Sequence, residues 1–233
     1  MTAVFILLII GSYLLGAVPW AYLIARWRRG IDIRKYGSGN VGASNVMTTV
    51  SKRWSVAVTL LDIGKGALMV WIAQLTGLGV AQQVTIGIAA IVGHDWPVFL
   101  RFQGGRGVFT TLGVITMLNP WLGLIALVFP YLFFAPFKQL SMGVTLVLII
   151  LPCIAGFAYG PLGIAEPLSV LIGIIWMLVI MMIRRFTAPR SPISATVPVG
   201  KLLLYRFLFD RDIRDRETWI KQDRAGEKAK KGG

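Results

Sequence analysis

Two glycine-rich strings and one charged pair hold most of the residues in this chain that could do chemistry. The first string, GSGNVGASN at 37–45, places glycine at every second or third position, a spacing that lets successive backbone N–H groups turn toward one anion. Ser38, Asn40, Ser44 and Asn45 add side-chain donors. The same string would also serve as a plain polar connection between helices, and it lacks the spacing of a nucleotide P-loop. The second, Gly104-Gly105-Arg106-Gly107, lies in GHDWPVFLRFQGGRGVFTT (93–111) and opens into an apolar run. A helix starting there aims unpaired N–H groups and its positive dipole end at an anion, with Arg106 as a bidentate donor. Two such loops on one face of a membrane would suit a doubly charged phosphate.

The pair is Asp62 and Lys65, three residues apart and therefore on one helical face, inside an apolar stretch. Unpaired, either charge is expensive there, so the two are expected to pair toward the interior, either as a structural couple or in contact with substrate. His94 is the sole histidine; it is a candidate general base or, as a lone histidine at a helix end, a structural residue. No metal site is expected, since the chain has a single cysteine, a single histidine and no cluster of ligating residues.

Apolar elements must position these groups. Of the 233 residues 56% are hydrophobic and 15% charged, with a mean hydropathy of +0.72: membrane composition. Lys and Arg outnumber Asp and Glu by 24 to 10. The basic residues border apolar runs, which points to topology and anionic lipid and away from nucleic acid. The first run lacks a preceding basic residue and is followed by Arg26, Arg28 and Arg29, the reverse of a cleavable signal.

The expected fold is all-α and polytopic, with seven transmembrane helices at about 3–25, 54–76, 78–92, 107–118, 120–137, 140–159 and 162–183. The third and fourth are short, reaching about 20 Å against a hydrocarbon core of roughly 30 Å, so that the loop 93–106 is expected to dip below the headgroups. Charge decides whether Asn119-Pro120 is a turn. With seven helices and the N-terminus outside, the cytoplasmic segments hold 23 of the 24 basic residues, Lys65 being the exception. Merging two helices would export the basic tail.

Three regions follow: a membrane domain over 1–183, a cytoplasmic segment over 184–220 that is irregular to 198 and then lies on the inner leaflet, and a disordered basic tail over 221–233. Cys153 is expected in the core.

The motifs GSGNVGASNVMT, DIGKG and GHDWPVFLRFQGGRGVFT, in this order, resemble those of the PlsY-type acyl-phosphate:glycerol-3-phosphate acyltransferases of bacteria, over about residues 3–183. The resemblance implies transfer of a fatty acyl group from acyl phosphate to the 1-hydroxyl of glycerol 3-phosphate, giving lysophosphatidate without cofactor. It implies a monomer in the bacterial plasma membrane with its site facing the cytoplasm. Ser38 and Arg106 would be catalytic, Ser38 as a donor and not a covalent nucleophile. Asn40, Asn45, Gly104, Gly105, Gly107, Ser141 and Lys65 would bind substrate. His94 and Asp62 would be structural or catalytic. Four positions depart from the family pattern. Thr48 stands for the Arg that closes the first motif, and Arg106 for Lys. At the end of the last helix, Val179 and Met182 replace a His and an Asn of the acceptor side. These leave two alternatives to the acyltransferase: a relative with another acceptor or none, and an anion transporter built on glycine-broken helix ends.

Overall fold

The computed structural model describes residues 2–221, and among these every regular element is helical. The longer helices are α1 (Thr2–Gly16), α2 (Trp20–Arg29), α3 (Ala43–Thr49), α4 (Lys52–Leu75), α5 (Val80–Asp95), α6 (Val108–Leu118), α7 (Pro120–Phe133), α8 (Leu140–Phe157), α9 (Pro167–Phe186) and α10 (Val199–Phe209). Among the described residues five stretches are long and apolar enough to cross a membrane, Thr2–Arg29, Lys52–Leu75, Val80–Leu100, Leu140–Phe157 and Pro167–Phe186. Two shorter apolar helices, α6 and α7, turn back on each other at Asn119-Pro120. There Pro120 opens α7 and the Asn119 side chain accepts from the N–H of Leu122, so the turn lies where charge segregation put it.

Large apolar side chains cover the outside of the bundle: Leu7, Leu60, Leu75 and Leu132 are each more than 60% exposed, as suits lipid contact. Helices approach closely where small residues meet backbone. Gly16 and Gly93 lie against the backbone of the facing helix where α1 crosses α5, as Gly66 and Gly113 do where α4 crosses α6. Ser12 adds a hydrogen bond across the first crossing, donating to the carbonyl of Ile86 at 2.6 Å.

The expected boundaries need correcting in several places. The first span breaks at Pro19, which cannot donate to the helix ladder, and continues as α2. Residues 43–49, expected as loop and connection, form α3. The last span begins at Pro167, not 162, because Gly163 turns with φ +60° and proline is favoured at the first helical position. It also runs on to Phe186, so Arg184 and Arg185 belong to its last turn, where cations suit the helix dipole. Cys153 is exposed on the apolar outside and not in the core. Residues 199–209, within the segment expected on the inner leaflet, form α10, which packs on α8 and α9. The basic tail lies outside the described residues apart from Lys221.

Candidate functional site

The first glycine string folds around a side chain. The amide of Asn45 donates to the carbonyls of Ile33, Tyr36 and Asn40 at 3.2, 3.0 and 3.0 Å, and its Oδ1 accepts from the N–H of Ser38 at 3.2 Å. Asn45 is therefore buried beneath the loop it organises, with every group spent internally. Expected to bind substrate, it positions Ser38 and Asn40. The Ser38 hydroxyl accepts a long 3.4 Å hydrogen bond from the N–H of Asn40.

The second string is clasped from two sides. The N–H groups of Gly104 and Gly105 donate back to the carbonyls of Asp95 and His94 at the end of α5. Their carbonyls accept from Arg184, which donates Nη2 to Gly104 at 2.8 Å and Nε to Gly105 at 3.0 Å. Arg106 returns the contact by donating Nη1 to the carbonyl of Arg184 at 3.0 Å. The expected cradle is corrected accordingly: the amides of Gly104 and Gly105 close the helix end, and of this string's donors Arg106 is the one left to face the cavity. Gly107 stands before α6 with φ +66°, a conformation that favours glycine.

The two strings face each other across a cavity of about 350 Å³. Ser38 and Asn40 line it from the first loop, Gly104 and Arg106 from the second, and Arg34, Lys35, Arg184 and Arg190 bring further positive charge. Five cations around one small cavity give it a strongly positive potential, the electrostatics that suit a highly charged anion. Arg34 also ties the loops together, donating Nη1 to the carbonyl of Leu100 and to Gln103 Oε1, each at 3.4 Å. Its hydrogen bond to Asp32 holds that carboxyl below the ordinary carboxylate range. Asp212 is the carboxylate on the cavity wall. Burial works against its charge, but hydrogen bonds from Arg206 and from the N–H of Ser191 outweigh that and hold its carboxyl below the ordinary range.

Other candidates lie elsewhere. Lys65, 2% exposed, is 3.0 Å from Asp62 and donates to the carbonyls of Gly16 at 2.9 Å and Val18 at 3.4 Å, groups freed by the break at Pro19. Asp62 in turn stands 3.5 Å from His94 Nδ1, and the His94 ring packs on Gly105. The chain Lys65–Asp62–His94 thus braces the second loop from below, and none of its members lines the cavity. Ser141 donates to the carbonyl of Phe209 at 2.9 Å, fastening α8 to α10, and is likewise not a lining residue. Among the described residues no cluster of metal-ligating side chains occurs. Sequence reasoning missed Arg184 and the polar wall after α9. The only signal was a basic doublet at a helix end, which topology alone explains.

A family model described as glycerol-3-phosphate acyltransferase matches residues 6–209. The chain is 46% identical over 228 residues to glycerol-3-phosphate acyltransferase 4 of Dehalococcoides mccartyi (strain CBDB1), covering 98% of both chains. It is 47% identical over 225 residues to glycerol-3-phosphate acyltransferase 5 of another strain of that species (ATCC BAA-2266 / KCTC 15142 / 195), covering 97% of this chain and 96% of the relative. Its fold resembles the crystal structure of PlsY, an integral membrane glycerol 3-phosphate acyltransferase, in the glycerol 3-phosphate form, with a TM-score of 0.70 and 31% identity over 78% of this chain and 88% of that one. The lysophosphatidic acid form of PlsY gives a TM-score of 0.68.

Proposed function

The chain belongs to the glycerol-3-phosphate acyltransferase family, and from that premise we propose that it transfers a fatty acyl group from an acyl phosphate to the 1-hydroxyl of glycerol 3-phosphate, in the synthesis of phospholipid. The observation that carries this reading is the cavity between the two glycine loops, where five cations surround the hydroxyl of Ser38 and the amide of Asn40. An acyl phosphate is already activated. The bond from acyl carbon to phosphate oxygen breaks as the bond to the glycerol oxygen forms, and the hydroxyl proton passes to a phosphate oxygen. The protein's task is to stabilise the leaving phosphate and to hold the two reactants in line. An apolar groove between α6, α7 and α8 starts at Val108, next to Gly107, and offers the donor's chain a path from the bilayer.

The departures from the family pattern are reflected in the site. Thr48, where the motif carries Arg, is exposed and donates to the carbonyl of Asn45 in its own helix; positive charge comes instead from Arg34, Lys35, Arg184 and Arg190. Val179 is exposed among apolar neighbours and presents no polar group. These two changes favour, as the second reading, an acceptor other than glycerol 3-phosphate. Purified protein given acyl phosphate and glycerol 3-phosphate should form lysophosphatidate. Acyl transfer to another polyol phosphate alone would establish the second reading, and labelled phosphate uptake into proteoliposomes without acyl transfer would make it a transporter.

Arg106→Ala should lower kcat/KM about 10- to 150-fold, the loss of a charge-assisted contact worth roughly 1.5–3 kcal/mol in a partly dry site. Arg101→Ala should change it little, because Arg101 is exposed and does not line the cavity. Equal effects of the two substitutions would remove Arg106 from its role.

We further propose that the apolar helices cross the bacterial plasma membrane seven times, α1 and α2 making one span, with the N-terminus outside and the cavity on the cytoplasmic side. The segregation of basic residues supports this. We also propose that the protein acts as a monomer. Reporter fusions should place Gly160 and Lys221 on opposite sides; finding them on the same side would rule out seven spans.

A further inference from the structure

The guanidinium of Arg106 is held at two of its three nitrogens. Nη1 donates to the carbonyl of Arg184, and Nε lies 2.9 Å from Asp210 Oδ1. Asp210 caps α10 in the left-handed region at φ 52°, a conformation that aspartate tolerates better than most residues. Arg185, donating to the carbonyl of Phe207 and to Thr145, is 3.8 Å from the same carboxylate oxygen. The next acidic residue, Asp212, pairs with Arg206 at 2.7 Å and accepts from the N–H of Ser191, which pins this stretch against the end of α9. The family match ends at Phe209, one residue before Asp210. Arg106 lines the cavity while Asp210 does not, so the carboxylate lies behind the guanidinium and not in the place of a bound anion.

We propose that the stretch after α10 is a working part of the substrate site and that Asp210 on it is a positioning residue, fixing Arg106 so that its remaining nitrogen faces the phosphate in the cavity. An unheld arginine spreads over several rotamers, and ordering it on binding costs affinity. Asp210 and the Arg184 carbonyl make that ordering part of the fold. An anion competing for Arg106 would act in the opposite direction, tightening phosphate binding when removed.

The inference rests on the acyl-transfer reading for its kinetic arm and on binding alone for the other. In the full-length protein Asp210→Asn should raise KM for at least one of the two phosphate-bearing substrates roughly tenfold and leave kcat within about twofold. Asp210→Glu should recover most of the loss, and Glu217→Gln, on an exposed carboxylate of the same stretch, should match the parent protein. In an Arg106→Ala background Asp210→Asn should add less than about twofold, because the two residues act as one unit. Calorimetric titration with inorganic phosphate should show the same pattern, whether or not the protein makes lysophosphatidate. Full additivity of the two substitutions, unchanged KM values with unchanged phosphate affinity, or tighter phosphate binding by Asp210→Asn would each overturn the assignment.

Discussion

Gly105→Ala should cut acyl transfer by about 10²-fold or more, the scale expected when reacting groups are displaced by about 1 Å. A methyl group at this position would overlap the His94 ring on one side and the Val41 carbonyl on the other. Neither can retreat cheaply. Val41 is backbone of the first glycine loop, and His94 stands on Asp62, which is paired with Lys65, which is bonded to carbonyls at the end of α1. The second loop must move instead, and its carbonyls carry the Arg184 clasp. Overpacking of this kind typically costs about 1–3 kcal/mol, so the variant should unfold at a somewhat lower temperature in detergent yet still fold. Initial rates at several concentrations of both substrates, beside a thermal unfolding curve, check this. Parent-like rates would show that the loop geometry is unimportant.

Ser38→Ala should lower acyl transfer by about 10²-fold or more, as loss of a donor made for the transition state does, with little effect on folding. The Ser38 hydroxyl faces the cavity, where it accepts from the N–H of Asn40. His94, the only imidazole, is turned toward Asp62 and Gly105 and is not a cavity residue, and the cavity carboxylate Asp212 is taken up by Arg206 and the Ser191 N–H, so among the described residues no hydrogen-bonded base makes Ser38 a nucleophile. The parent enzyme should then show neither a burst nor a fatty acyl ester on the protein. A quenched-turnover mass spectrum carrying the acyl group on Ser38 would establish a covalent route, and near-normal rates of Ser38→Ala would take the residue out of the site.

The apolar spans were legible because membrane composition is a long-range signal: a soluble core rarely needs some twenty consecutive apolar residues bordered by Arg and Lys. The glycine strings were legible as tight loops, since glycine at that density needs a reason in close backbone approach. Which donors face the cavity was not. Asn45 and Ser38 look alike in sequence, and only the folded loop turns one inward and the other out. Lys65 was readable as a paired charge, but its partners at Gly16 and Val18 exist only because Pro19 interrupts the first span. Arg184 was hidden by redundancy, because the positive-inside rule already accounts for a cation at the end of α9. The stretch with Asp210 and Asp212 reads as a polar, charge-mixed tail, and nothing local announces that it folds back onto α9.

The α6–α7 hairpin has a consequence for the surrounding lipid. Its helices, of 11 and 14 residues, span about 16 and 21 Å, whereas α8 and α9, with 18 and 20 residues, span about 27 and 30 Å. On the proposed seven-span topology, a bilayer that fits one flank of the protein is too thick for the other. With both as spans, thinning of the leaflets beside the hairpin would meet the hydrophobic mismatch at a cost of fractions of a kcal/mol per Å, and that deformation would fall where the apolar groove opens along α6, α7 and α8. On that topology the elastic load sits in the membrane and not in the backbone, and it grows with the chain length of the very lipids whose synthesis the enzyme begins.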